Sequence, residues 1–431
     1  MVLINSIIYF YSIFCFIENV ISTIDNEIEI NSYGLSDIDG LNTGWTSGIQ
    51  QDWPTLKVYK VTNLNSSGKG SLINALLAKE PRLIVFEVSG NIDFKGRSIK
   101  IECPYLRILG QTSPEVGITI INGGLRIATH DVIVQHLHIR PGDTLNGNSI
   151  DGITTMGGAY DIIVDHCSFS WAIDENLSAS GPRFQGNTVD EWRNNTSHRI
   201  TFSNNIIAEG LANSKHSDSV SHSMGMLIHD NVTDVLIIGN LFYSNDRRNP
   251  IFKGGASGAI VNNFIYNPGK MAMAYRLSEK EWANRKIQKG RISIVGNYME
   301  KGINSKDIPL FEAIYGECEL FFKDNLAIER NGKPIELYRG DTSNLVSNYS
   351  IWNQNITPIP IIDVKNYVLN NSGANPKNRD YIDQRIIKNI ISKKGVIIDS
   401  ETFVGGFRQT DSVFRKFNPE ILDSLNLKYL N

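Results

Sequence analysis

Three groups of residues carry the types and spacing that chemistry needs. They are the acids Asp151, Asp174 and Glu175, the arginine Arg248 inside the run DRRNPIFKGG, and the polar stretch from Asn213 to Gly225 with Lys215, His216, Asp218 and His222. Carboxylates brought together raise one another's pKa unless a cation lies between them. Hard oxygen donors without cysteine or paired histidines select Ca2+ over zinc or copper. If Arg248 stands two strand spacings further along, on the order of 10 Å, one anionic sugar residue fits between metal and guanidinium. The same residues also read as a charged surface, with Arg248 paired to Asp246 or Glu209, and His222 in its serine-rich loop reads as solvated.

Whether these groups meet depends on what holds them. From about residue 95 the chain is a series of short apolar runs, each interrupted by His or Asn: VIVQHLHI, IIVDHCSF, ITFSNNII, LIIGNLFY, AIVNNFIY, SIVGNYM, FFKDNLAI and NLVSNYSI. Asparagine is normally disfavoured inside strands. Taking the residue before the second apolar group gives a column of His136, His166, Asn205, Asn240, Asn263, Asn297, Asn325, Asn348 and Asn371. Its spacings are 30, 39, 35, 23, 34, 28, 23 and 23. The recurring minimum matches one turn of a parallel β-helix, with longer spacings read as a turn plus an inserted loop. Asparagine at one bend of successive turns can pass hydrogen bonds along the stack and tolerates a left-handed backbone. On a 23-residue turn, Asp174 and Arg248 each fall 8 residues past a column member, and Asp151 falls at the same phase. All three then project from one face. Trp171, within SFSWAIDE, reads as a packing residue.

The ends fit this coil. Ser71 before LINALLAKE reads as an N-capped short helix over the first turn. Residues 379 to 393 place their apolar side chains on one helical face, suited to the last turn or the barrel side. No linker divides the body. Residues 1–22 are apolar and aromatic and read as a secretory signal, which leaves 23–431 as one domain. The 42 basic against 45 acidic side chains argue against a nucleic-acid binder. Of four cysteines, Cys15 leaves with the signal, while Cys103, Cys167 and Cys318 read as small core residues. Asn65, Asn195 and Asn231 head glycosylation sequons.

At these same residues the chain resembles the pectate lyases of polysaccharide lyase family one, in the branch that includes pectate lyase C. The similar stretches are VYKVTNLNSSGKGSL, LRILGQTSPEVGITI, IIVDHCSFSWAIDENLS, ITFSNNIIAEGL, HSMGMLI, RNPIFKGG, VNNFIYN and RDYIDQRI, in family order over roughly residues 57 to 385. The resemblance implies an all-β, right-handed parallel β-helix with short capping helices. It implies a secreted monomer that cleaves polygalacturonate by calcium-dependent β-elimination, without nucleic-acid or membrane partners. Arg248 matches the family's catalytic base, and Lys253 its substrate-contacting basic residue. Asp151, Asp174 and Glu175 fall among its calcium-binding acids. Asp165 and His166 match a pair assigned to fold support. Two departures stand out. The family's glycine-rich start is absent from residues 31–51, and Met224 stands where relatives carry a lysine. Lys215 or His222 is then the candidate to fill that role at the substrate. The rival readings are a non-catalytic carbohydrate-binding β-helix and a lyase for methylated pectin or another uronic-acid polymer. A polygalacturonase would need paired aspartates at glycosidase spacing, which the core lacks.

Overall fold

The apolar runs fold as short parallel strands stacked into three columns. The structure, a computed structural model, describes residues 38–143, 150–213, 222–407, 412–423 and 429–430. The signal-like segment 1–22 and Lys215 therefore lie outside the described residues. From Ile38 onward the chain clusters as one unit. The first column includes Val132–Gln135, Tyr160–Asp165, His198–Ser203, Thr233–Ile238, Ser257–Val261 and Gly290–Val295, each paired parallel with the next. The second includes His138–Arg140, Ser168–Ser170, Ile206–Ala208, Leu241–Tyr243 and Phe264–Tyr266. The third includes Ile153–Thr155, Glu175–Ala179, Met224–Ile228, Ile251–Lys253 and Met273–Arg276. The long strand Ile118–Ile127 pairs into both of the last two. This is the parallel β-helix expected from the sequence.

The first-column strands are buried along most of their length, polar residues such as Thr201 and Ser293 included, because both faces are covered. Val134, Val164, Phe202 and Ile237 point into the barrel core. Ile163 lies in a second cluster with Trp53 and Phe417, and Leu236 and Val261 in a third with Val364, Val368, Ile386 and Ile390. Terminal segments thus wrap the outside of the coil. The Ile38 amide donates to the Tyr367 hydroxyl across 329 residues.

The bend after the first column carries the amide ladder. Asn205, Asn240, Asn263, Asn297 and Asn325 are stacked so that each side-chain Nδ2 donates to the next Oδ1 at 2.9–3.1 Å. Each Nδ2 also reaches a backbone carbonyl of the turn before, as Asn263 does to Ile237. Two members of the expected column are one residue out of phase. His166 is level with Asn204, because Ser203 pairs with Asp165. The residue level with Asn205 is Cys167, whose amide donates to Asn205 Oδ1. His136 and His166 instead hold the left-handed position before the ladder, shared with Asn204, Asn262 and Asp324, and their rings stack at 5.1 Å. Asn348 is not bonded into the ladder. Asn371 ends the helix Ile361–Asn371, whose Val364, Tyr367 and Val368 are buried. Chain composition rich in Asn continued the pattern past the coil.

Both expected helices form. Ser71 accepts from the Asn74 amide at the start of helix Leu72–Leu76. Helix Tyr381–Ile391 buries Ile382, Ile386 and Ile390 against the barrel side. Trp171 is fully buried, its Nε1 on Glu209. Cys167 and Cys318 are buried thiols, the latter pushed up to about 12 by burial, whereas Cys103 is only half-buried. It follows the end of the strand Gly90–Ile101, outside the core. Among the described residues no helix is long and apolar enough to cross a membrane.

Candidate functional site

The one-residue shift of the ladder decides which acid faces which. Counting from Cys167 rather than His166, Glu175 takes the phase expected for Asp174. The strand pairing agrees: Ile153 pairs with Leu177, so continuing two residues back sets Asp151 level with Glu175. Glu175 in turn pairs with Met224, and Met224 bridges to Arg247 beside Arg248. Asp174 sits at the preceding bend. Oxygens of Asp151, Asp174 and Glu175 lie within 4.8 Å of one another. Two turns therefore deliver three carboxylates to one point, the third contributes Met224, and the fourth delivers an arginine. Met224 does occupy the column place between acid and arginine, and it is buried.

Arg248 does not stand a sugar's width away. Its guanidinium is ion-paired directly with Glu175. The long side chain reaches back across the Met224 turn. Nor does it pair with Asp246, which holds Lys270 at 2.9 Å and Arg247 at 3.4 Å, or with Glu209, which holds Arg385 at 2.7 Å. Burial lowers the Arg248 pKa, against the pull of Asp174 and Asp151. Its backbone is left-handed, with φ 60°, a conformation that non-glycine residues hold only where surroundings impose it.

Asp151 is the anomalous acid. Burial first, then the charge of Asp174, pushes its carboxyl up to about 7, while the Ser178 hydroxyl, Arg126 and Arg248 pull the other way. The Ser178 hydroxyl donates to it at 3.1 Å. His222 places Nδ1 3.7 Å from Asp174 and is buried, so it belongs to the acid cluster rather than to solvent. A cleft of about 480 Å3 is lined by Asp151, Asp174, Arg126 and Thr154. A carboxyl whose proton is kept toward neutral pH by burial and a neighbouring carboxylate is one that a cation between them would ionise. The all-carboxylate donor set fits Ca2+.

Lys253 closes the neighbouring strand Ile251–Lys253 and is mostly buried, with Nζ 2.8 Å from Glu281. Asp165 accepts from His166, Gln135 and Ser203, so this pair supports the first-column bend away from the acids.

Sequence reading missed the residues that hold the site's backbone. Asn176 donates to Ala208 O and Asn245 Oδ1, Asn245 to Ile207 O and Asn249 Oδ1, and Asn249 to Met271 O. This second amide run brackets Arg248 and underlies Glu175. The signal was present as Asn on either side of DRR, but its spacing is not that of the first ladder. The other cluster of three potential metal ligands among the described residues is His138, Asp380 and Asp383. Arg140 already pairs with both aspartates, and Ser168 donates to Asp383. With its carboxylates already engaged by Arg140 and Ser168, that group fastens the C-terminal helix.

No family model matches the chain. Over 365 residues it is 32% identical to the protein named "Probable pectate lyase C" of Aspergillus terreus, covering 81% of this chain and 77% of that one. Its namesake in Neosartorya fischeri is 31% identical over 367 residues, with 81% and 76% covered. A solved structure described as "Pectate lyase bound to hexasaccharide" superposes with a TM-score of 0.51 at 14% identity, covering 78% of this chain and 97% of that one. The major allergen from cedar pollen gives 0.51 at 16% identity, with 77% and 92% covered. These two likenesses are of the fold.

Proposed function

This chain belongs to the pectate lyase family, and on that premise we propose that it cleaves polygalacturonate by calcium-dependent β-elimination. The observation that carries the reading is the meeting of Asp151, Asp174, Glu175 and Arg248 at one point of the third column. A polymer of this size is met outside the cell, so the enzyme acts there.

Elimination removes the proton on C5 of a uronate, beside its carboxylate. The C–H electrons form the C4–C5 double bond, and the C4–O pair leaves with the departing sugar. Asp151, Asp174 and Glu175 would hold Ca2+, which supplies charge neutralisation of the uronate carboxylate and so acidifies C5. The substrate carboxylate competes with Glu175 for Arg248, so binding frees the guanidinium toward the sugar. Arg248 is then the base. Only the neutral guanidine can take the C5 proton, a form scarce for arginine in water, and burial, which lowers the Arg248 pKa, works in the needed direction. One observation favours a second assignment: His222 lies against Asp174. In that version His222 takes the proton and Arg248, still charged, stabilises the enolate-like carboxylate.

The test is to incubate the protein with polygalacturonate in Ca2+ or in chelator and follow the ultraviolet absorbance of unsaturated products. Absence of product in both conditions refutes the lyase reading. Undiminished product in chelator removes the metal from it. An inflection near neutral pH in the rate profile that disappears in His222→Ala would transfer the base role to histidine.

A further inference from the structure

One carboxylate oxygen beside the site holds two cations at once. Glu281 Oε2 lies 2.8 Å from Lys253 Nζ and 3.3 Å from Arg183 Nη2. The two cations are firmly based. Lys253 is mostly buried at the end of its strand. The Arg183 Nε donates at 2.9 Å to Asp230, which is fully buried and also accepts from Trp282 Nε1. Glu281 is the loose partner. It lies on the four-residue helix Glu279–Trp282, and its side chain is over a third exposed. Its charge is also felt at Arg248, as is that of Arg276, the register partner of Lys253. The cluster is thus electrically continuous with the acid site.

We infer that Glu281 stands in for a carboxylate of the substrate. Arg183 and Lys253 form a binding point for a second uronate, and the incoming chain displaces Glu281 from it. A carboxylate between a guanidinium and an ammonium is the interaction that a uronic acid offers and its methyl ester does not. The exchange is easy because partly exposed ion pairs are weak. Glu281 therefore sets how strongly the enzyme prefers a de-esterified stretch at this position. The inference rests on the uronate-polymer reading, and it names Arg183 as the residue that, with Lys253, holds the second acid.

The experiment is calorimetric binding of oligogalacturonate to wild type and Glu281→Gln, together with KM and kcat on polygalacturonate. Thermal melting verifies that the variant is folded. Removing a competing carboxylate held by two partly exposed pairs should tighten Kd and lower KM about five- to tenfold, with kcat within about twofold. Highly methyl-esterified pectin, added as competitor, should inhibit wild type and variant alike. Arg183→Gln should weaken Kd in both backgrounds. If Glu281→Gln leaves Kd unchanged or weakens it, Glu281 positions the cations or is a spectator, and the inference is overturned. Unchanged Kd in Arg183→Gln overturns it as well. A wild-type protein that binds oligogalacturonate without cleaving it loses the lyase reading, while the Kd comparison still decides this one. Absence of binding removes both.

Discussion

Replacing Asp151 with asparagine should make the metal-free protein more stable while abolishing its response to Ca2+. In the unfolded chain this carboxyl ionises near its ordinary 3.8, but in the folded chain it holds its proton up to about 7. The folded state therefore binds the extra proton between those values. Stability falls as pH climbs through that window and is level above it. The full displacement corresponds to about 4 kcal/mol lost by pH 8. Asparagine has the same shape, can still accept from Ser178, and has no charge to bury. Allowing for relaxation around an ionised Asp151, the variant should gain at least ~2 kcal/mol in chelator at pH 8, and less than half of that gain at pH 5. Urea unfolding of both proteins in chelator at the two pH values measures this. Added Ca2+ should then raise the wild-type midpoint at pH 8 and leave the variant unmoved. A variant destabilised equally at both pH values would show that Asp151 is ionised and structurally paired in the folded protein, which would refute the argument.

Other outcomes follow from the same geometry. Asn263→Ala strands the Ile237 and Val261 carbonyls and the Asn240 amide inside the coil, and should cost about 3 kcal/mol by urea unfolding. Arg248→Lys keeps a charge but loses the planar fork, and initial rates on polygalacturonate should fall about 100- to 1000-fold with the fold intact by circular dichroism. Asn245→Ala removes the amide that ties Gly210, Ile207 and Asn249 together; kcat should drop more than tenfold while the urea midpoint moves less than in Asn263→Ala, because the second amide run is short.

The coil was legible because its cause is repetitive. Asn205 through Asn325 perform the same hydrogen-bonding task at each turn, so their spacing exposes the circumference. The failure at His136 and His166 has the same root. Histidine and asparagine both tolerate a left-handed bend, so a polar residue one position early looks like a ladder member. That slip also exchanged Asp174 for Glu175 in the column. The acids could be grouped from turn length, but the Arg248–Glu175 pair could not, since side-chain reach is not written in register. Apart from the family resemblance, the motif RDYIDQRI was visible as a helix face. Its charged work, Asp380 and Asp383 on Arg140 and Arg385 on Glu209, joins residues more than 170 apart, and periodicity is blind to such pairs.

The outer wrapping has a consequence for biogenesis. Stacked turns can zip up in order as the chain emerges, each on the one before. The flank that carries Trp171, Leu236 and Tyr243, however, is roofed by residues beyond 356, which are synthesised last. Until they arrive, a nearly finished coil presents a greasy side to its surroundings. Truncation a few dozen residues short should therefore produce not a weaker enzyme but an insoluble one, and quality control would act on the roof rather than on the catalytic groove.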